Sequence, residues 1–414
     1  MKARSQTLDR RAETLRTAYA ECRAHTLSLF EDIDDALFRT QPDPGFSPIG
    51  WHLGHIALTE GLWLLRDSAG LTLPRPDYED YFHVERLAKH LRGGVPDKDA
   101  VLAYGEAMRA AVFRRLEQAP LGDPIELRRW HFVLQHEAMH DETITFLRTL
   151  LGARPEAPGW PPSSRPPGEA MVAVPEGWVA MGSADPAAMD NERARHEVAV
   201  PAFCLDVYPV TQADFAEFMV DGGYETRRLW SDAGWAWLAA GGIARSPLHW
   251  REGCTDHPVS GVSLHEAEAY ARWAGKRLPT EAEWERAAAA SLARDDGAPY
   301  PWGRAAPAAG RANFGNGVHG TTSVTAQPEG RSAAGCLDML GNVWEWTATE
   351  FHPYPGFEPW PYHGYSAAWF DGRHRVLKGG SWASPRWLLR RSFRNFYEHG
   401  VRQILCGFRC AADA

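Results

Sequence analysis

The stretch 152–170 is so rich in proline that no helix can run through it, and the chain differs in kind on its two sides. Upstream, apolar residues recur at helical spacing. Leu15, Tyr19, Cys22, Leu29, Ile33 and Leu37 follow at steps of three, four or seven, which predicts an amphipathic helix of at least five turns beginning near Leu8. Ser47 as a cap and Pro48 as a first-turn residue open a second helix, reaching about Arg66. A third is expected over 97–118 and a fourth over 124–151, with a loop rich in Pro and Asp and the segment DYEDYF after the second. Four such helices suggest an antiparallel bundle. Downstream, short strand-like runs (WVAMGS, HEVAVPAFCLDVYPV, RVLKGGSW, GFRCA) alternate with loops of Gly, Asn and Pro. Helices are expected after Thr211 and, with capping boxes, after Ser263 (with Glu266) and Thr280 (with Glu283). Most of the 18 Trp lie beyond residue 170, among them Trp284, Trp344 and Trp346, which read as core or loop anchors. The expected organisation is an all-α domain at 1–151, a linker at 152–170 and an α+β domain at 171–414.

Composition narrows the function. A formal charge of −9 provides no electrostatic footprint for nucleic acid or an anionic membrane. No apolar run has the ~18 residues of a spanning helix. The first residues, MKARSQTLDRRAETLR, lack the apolar core of a signal peptide. Six scattered cysteines do not make a disulfide framework, so a cytoplasmic protein is expected.

The chemistry begins with histidines. In QHEAMHDE, His136 and His140 are four apart and share one helix face. In WHLGHIALTEGLWLL, His55 is in phase with Trp51, Leu58, Leu62 and Leu65, whereas His52 lies off that stripe. Three inward imidazoles make a facial metal site with open positions; the bland alternative is three core histidines bonded to carbonyls. His136–His140 also matches HExxH, with Glu137 as the general base of a zinc hydrolase. Spacing alone leaves zinc hydrolysis and iron(II) oxygen chemistry both open.

The second half bears on the choice. WVAMGS, DNERARHEV, YPVTQADFAEF, the run from HPVSGVSLHEAEAYARWAGKR to LPTEAEWERAA, LDMLGNVWEW, RVLKGGSW and GFRCA together resemble the formylglycine-generating-enzyme/sulfatase-modifying-factor family, in that family's order. SPIGWHLGH and HEAMHDE resemble the DinB-like bundle. The pair is the architecture of the sulfoxide synthases of ergothioneine biosynthesis (EgtB type). The resemblance implies a DinB-like four-helix bundle followed by an α+β, C-type-lectin-like domain. It implies a non-heme Fe(2+) enzyme that uses O₂ to join a thiol donor (cysteine or γ-glutamylcysteine) to the imidazole of hercynine, N-trimethylhistidine.

Carried over residue by residue, the family's iron ligands fall on His55, His136 and His140. Its catalytic tyrosine falls on Tyr81, or on Tyr362 where members draw it from the C-terminal domain. Asn395 matches a residue that holds hercynine, and Phe396 or Tyr397 beside it would offer its ammonium group an aromatic wall. Arg92 matches an arginine gripping the donor's carboxylate, against the alternative of a solvated loop charge. Members of the fold often bind Ca(2+) near GNVWEW, with Asn342 and Glu345 as candidate ligands; otherwise Asn342 merely takes a left-handed turn and Glu345 is solvated. The two thiolates of copper-dependent formylglycine generators are missing, since WLLRRSFRN contains no cysteine. Met139 stands where the family usually has Gln, and Asn395-Phe396-Tyr397 also departs from the usual pattern. A different acceptor (histidine, as in ovothiol synthesis) or donor (a selenosugar) therefore stays open, beside a non-catalytic binding protein.

Overall fold

Helical periodicity upstream of the proline-rich stretch becomes four long helices in the computed structural model, which describes residues 2–153, 171–240 and 245–414. They are α1 (Lys2–Ser28), α2 (Ile49–Gly61), α3 (Lys98–Leu116) and α4 (Pro124–Leu150). Asp97 and Asp123 cap α3 and α4 by accepting from Ala100 N and Ile125 N, and Pro124 takes the first turn, where its missing N–H costs nothing. The second helix ends its α-helical course at Gly61 and continues as a π-helical turn, Leu62–Arg66. A short helical turn, Glu79–Phe82, follows in the DYEDYF segment.

The chain divides into two units, Met1–Pro155 and Glu156–Ala414. From residue 154 on, the expected linker lies outside the described residues. In the first unit α2 packs against α3 and α4, and α1 against α4. Every residue of α2 except the half-buried His55 is buried. The outward face expected of an amphipathic helix is missing because neighbours cover it on all sides.

One ion network crosses this core. Arg23 of α1 donates to Glu137 of α4 (2.6 Å) and Glu60 of α2 (3.1 Å). Arg109 of α3 donates to Glu60 (2.5 Å) and Glu137 (2.6 Å). Each long helix contributes one charge, so the network fixes their register, and each buried charge is compensated.

Among its described residues the second unit holds three small sheets. Their orders are β1–β4–β9, β2–β3 and β7–β6–β5–β8, with β5 and β8 parallel and the remaining pairs antiparallel. The strands are β1 (Met171–Val174), β2 (Gly177–Met181), β3 (His196–Val200), β4 (Phe203–Asp206), β5 (Trp344–Glu350), β6 (His374–Lys378), β7 (Asn395–Glu398), β8 (Cys406–Gly407) and β9 (Ala411–Asp413). Helices α5 (Gln212–Val220), α7 (Leu264–Trp273) and α8 (Glu281–Ala287) start where the capping residues place them, with both expected boxes formed. One further helix, α6 (Asp232–Ala239), was not expected from the sequence. Trp284, Trp344 and Trp346 are fully buried, and the indole N–H groups of Trp284 and Trp346 donate to Glu345 (2.9 Å) and the Val262 carbonyl (2.9 Å).

Candidate metal centre

One turn of α4 brings His136 beneath His140, and α2 carries His55 against both. The possible ligand atoms of the three imidazoles lie within 4.8 Å of one another. His55 sends its Nδ1–H to the carbonyl of Phe82 (2.8 Å). A carbonyl only accepts, so the proton sits on Nδ1 and Nε2 keeps its lone pair. The Nε2 atoms of His136 and His140 are 3.2 Å apart. Two lone pairs at that distance repel unless a cation or a proton lies between them. The donor set is all imidazole nitrogen, which suits zinc, iron, copper and nickel and does not suit calcium.

The site is neutral. Burial pushes the His55 imidazole down to about 4 and His52 to about 3, and it takes His136 and His140 well below the ordinary range. At neutral pH all four are unprotonated bases, the form that ligates metal.

The turn Glu79–Phe82 is latched beside His55. The indole N–H of Trp51 donates to the Tyr81 carbonyl (2.9 Å), one residue before the carbonyl that holds His55. The Phe82 ring lies where a Cβ on Gly54 would stand, 2.2 Å away, so only glycine fits at 54. Trp51 stacks on His55 with centroids 4.5 Å apart, and the Arg92 guanidinium sits 3.9 Å from the Trp51 ring.

Over residues 157–414 the chain matches the sulfatase-modifying factor enzyme 1-like domain, and over 18–144 the DinB superfamily. It is 40% identical to the hercynine oxygenase of Mycolicibacterium smegmatis across 97% of this chain and 99% of that protein. The chain belongs to the hercynine oxygenase family. A relative in Mycobacterium tuberculosis, also a hercynine oxygenase, is 39% identical over 97% of this chain and 99% of that protein. The formylglycine-generating enzyme of Thermomonospora curvata is 36% identical, over 59% of this chain and 93% of that protein.

Within this family frame, several expectations change. Glu137 is not a general base. It is buried, accepts from Arg23, Arg109 and Thr26, and is held below the ordinary carboxylate range because those guanidiniums outweigh its burial. The HExxH match is thus a structural ion pair, which removes the zinc-hydrolase reading. The calcium expectation also fails. Both oxygens of Glu345 accept from Arg409 (2.7 and 2.8 Å), and Asn342 Oδ1 accepts from Asn313 (3.2 Å) and the Thr322 N–H (2.9 Å). Asn342 does take a left-handed backbone, with φ 66°, but Glu345 is buried rather than solvated. Arg92 is no solvated loop charge: it is buried and donates to the Leu87 and Val84 carbonyls and to Ser47 Oγ.

Tyr81 is 39% exposed on its turn, and Tyr362, in the second unit, is 42% exposed. Met139 is half-buried, one residue before a ligand histidine. On β7, Asn395 and Tyr397 share one face, while Phe396 points to the other and stacks on Phe351 at 4.0 Å. An aromatic wall on the side of Asn395 therefore falls to Tyr397. All six cysteines are free; Cys406 is buried, donates to the Val262 carbonyl and is pushed up to about 12 by burial.

Sequence reasoning missed the environment of His52. It is buried, and its Nδ1 lies 2.8 Å from Nδ1 of His140. The HxxH spacing was the only available signal, and helical phase spoke against it.

Proposed function

We propose that the protein uses iron(II) and O₂ to join a thiol to the imidazole of hercynine as a sulfoxide. The observation that carries the reading is the convergence of three neutral imidazoles in a chain that aligns end to end with hercynine oxygenases. The overall reaction balances as thiol plus hercynine plus O₂ giving sulfoxide plus water. The thiol S–H and an imidazole C–H are replaced by a C–S bond, one oxygen atom goes to sulfur and the other to water.

When bound, iron(II) supplies the electron transfer to oxygen that this oxidation requires. His55, His136 and His140 hold it, and because they are neutral they leave its charge to attract a thiolate. Tyr81 delivers a proton, being a phenol on the turn latched to the ligand helix; Tyr362 is the alternative. Asn395 and Tyr397 hold hercynine, with the Tyr397 ring facing its ammonium group. Met139 borders the imidazole substrate. Arg92 acts through the Trp51 stack in place of the expected carboxylate grip. Among the described residues no helix is long and apolar enough to cross a membrane. We place the reaction in the cytoplasm, in keeping with six free thiols.

Metal analysis of the purified protein, with oxygen uptake on adding hercynine and cysteine or γ-glutamylcysteine, tests the reading. Iron at one equivalent and thiol-dependent uptake with sulfoxide formed are expected, and alanine at His55, His136 or His140 should remove both. Met139 favours one competing reading, a different acceptor. Equal hercynine and histidine in one assay decide it: product from histidine alone would displace the hercynine assignment.

A further inference from the structure

We propose that His52 is a positioning residue for the metal: its Nδ1 accepts the Nδ1 proton of His140 and thereby holds that ligand with its Nε2 lone pair turned to the metal. The inference rests on the metal reading above. Its argument is a count of protons along a chain of three imidazoles. His52 Nδ1 meets His140 Nδ1 at 2.8 Å, and His140 Nε2 meets His136 Nε2 at 3.2 Å. Each neutral imidazole carries one N–H. Three arrangements fit both contacts.

In the first, His52 Nδ1–H donates to His140, and His140 Nε2–H donates to His136. Every contact is then a hydrogen bond, but the His140 ligand atom is capped by a proton. In the second, His140 Nδ1–H donates to His52, and both Nε2 atoms face each other as bare lone pairs. That arrangement is favourable only with a cation between them. In the third, His140 Nδ1–H again donates to His52 while His136 Nε2–H donates to His140 Nε2, so the His136 ligand atom carries the proton. Metal binding therefore selects the second arrangement, and no proton is released, since each ring keeps one N–H. His52 makes the metal-bound arrangement possible because its Nδ1 can accept that proton. Among the described residues its Nε2 is buried without a hydrogen-bond partner, and it is its Nδ1 that meets His140. A ligand histidine usually hands its second N–H to a carboxylate, carbonyl or water, and losing that partner weakens metal affinity ~10–100-fold. His55 has such a carbonyl in Phe82, and His140 has His52.

Zinc titration of the full-length protein against a chromophoric chelator tests this for wild type, His52→Leu and His52→Asn, with thermal melting of the metal-free proteins alongside. His52→Leu should bind zinc ~10–100-fold more weakly. His52→Asn should stay within about threefold of wild type, because an amide oxygen on a short side chain can accept in place of Nδ1. Unchanged affinity in His52→Leu, or equal losses in both variants, would overturn the proposal. A wild type that binds no zinc, cobalt or iron would instead remove the metal reading. Should His52→Leu not fold, ¹⁵N-histidine spectra of the zinc-loaded wild type decide. The proposal requires the shared proton on His140 Nδ1 and the other on His52 Nε2, and a proton on His52 Nδ1 overturns it.

Discussion

A histidine becomes a ligand here through what its other nitrogen is doing. His55 and His52 differ by less than one turn on α2, yet one gives its Nδ1–H to a carbonyl and the other meets a second imidazole. The same residue-level view applies to Tyr81, an exposed phenol whose own backbone carbonyl is held by Trp51. Proton delivery by a positioned side chain contributes ~10²–10⁴-fold to rate. Tyr81→Phe should lower sulfoxide formation by a factor in that range, raise uncoupled thiol oxidation and keep its iron, as product analysis beside metal content would show; an unchanged product ratio takes Tyr81 out of the mechanism. Met139 puts a thioether, a weak hydrogen-bond acceptor, beside a ligand. A regained amide hydrogen bond is worth roughly 0.5–1.5 kcal/mol, so Met139→Gln should tighten hercynine about threefold to tenfold in equilibrium binding.

At the scale of elements, the contact between α2 and the turn Glu79–Phe82 controls the metal centre. Their approach depends on Gly54, whose missing side chain admits the Phe82 ring. Gly54→Ala should cost roughly 1–3 kcal/mol by overpacking and loosen the His55–Phe82 bond, seen as a lower melting temperature together with weaker zinc affinity. A normal melting curve and normal affinity would show that the turn has room to yield. In the second unit, the loop leading to β5 buries Asp338 beside Asn342, which donates to it at 2.7 Å. Burial pushes the Asp338 carboxyl up to about 7, outweighing that hydrogen bond. In the unfolded chain the proton leaves near pH 3.9, so the folded unit binds more protons between there and about 7. Stability from this group is full below the lower value and is lost as pH rises through the upper one, on the order of 4 kcal/mol in all. Asp338→Asn should therefore flatten the fall in melting temperature between pH 4 and 7 and melt higher than wild type at pH 8. Calorimetry at several pH values would reveal it, and an unchanged slope would contradict it. The left-handed backbone at 338, φ 52°, is one that asparagine accepts.

At the scale of the whole molecule, four charges from four helices meet in the bundle core, and breaking one pair should be felt throughout it. Glu137→Gln leaves Arg23 and Arg109 with Glu60 alone and should cost ~3–5 kcal/mol in urea unfolding of the bundle, whereas a loss under 1 kcal/mol would show that water compensates the charges. Of these four residues only Glu137 stood out in the sequence, and there as a general base, although every helix that carries them did. Periodicity reports which side of a helix is buried, and proline, caps and capping boxes report where elements start, because both act within a few residues. That was enough to place α1, α3 and α4, the boxed helices α7 and α8, and the spacing that sets His136 under His140. It placed α2 as well and put His55 on the metal side, but it could not show that α2 is buried on nearly every face. Buried polar groups are decided differently: each must find a partner, and the partner usually comes from a distant part of the chain. Glu137 finds Arg23 across 114 positions, His52 finds His140 across 88, and Glu345 finds Arg409 across 64. The sequence by itself therefore determined the four long helices, the boxed turns and the histidines able to hold a metal. Only the tertiary structure decided that Glu137 is a structural ion, that Glu345 is closed to calcium and that His52 answers His140, because desolvation forces those pairings only once the elements have packed.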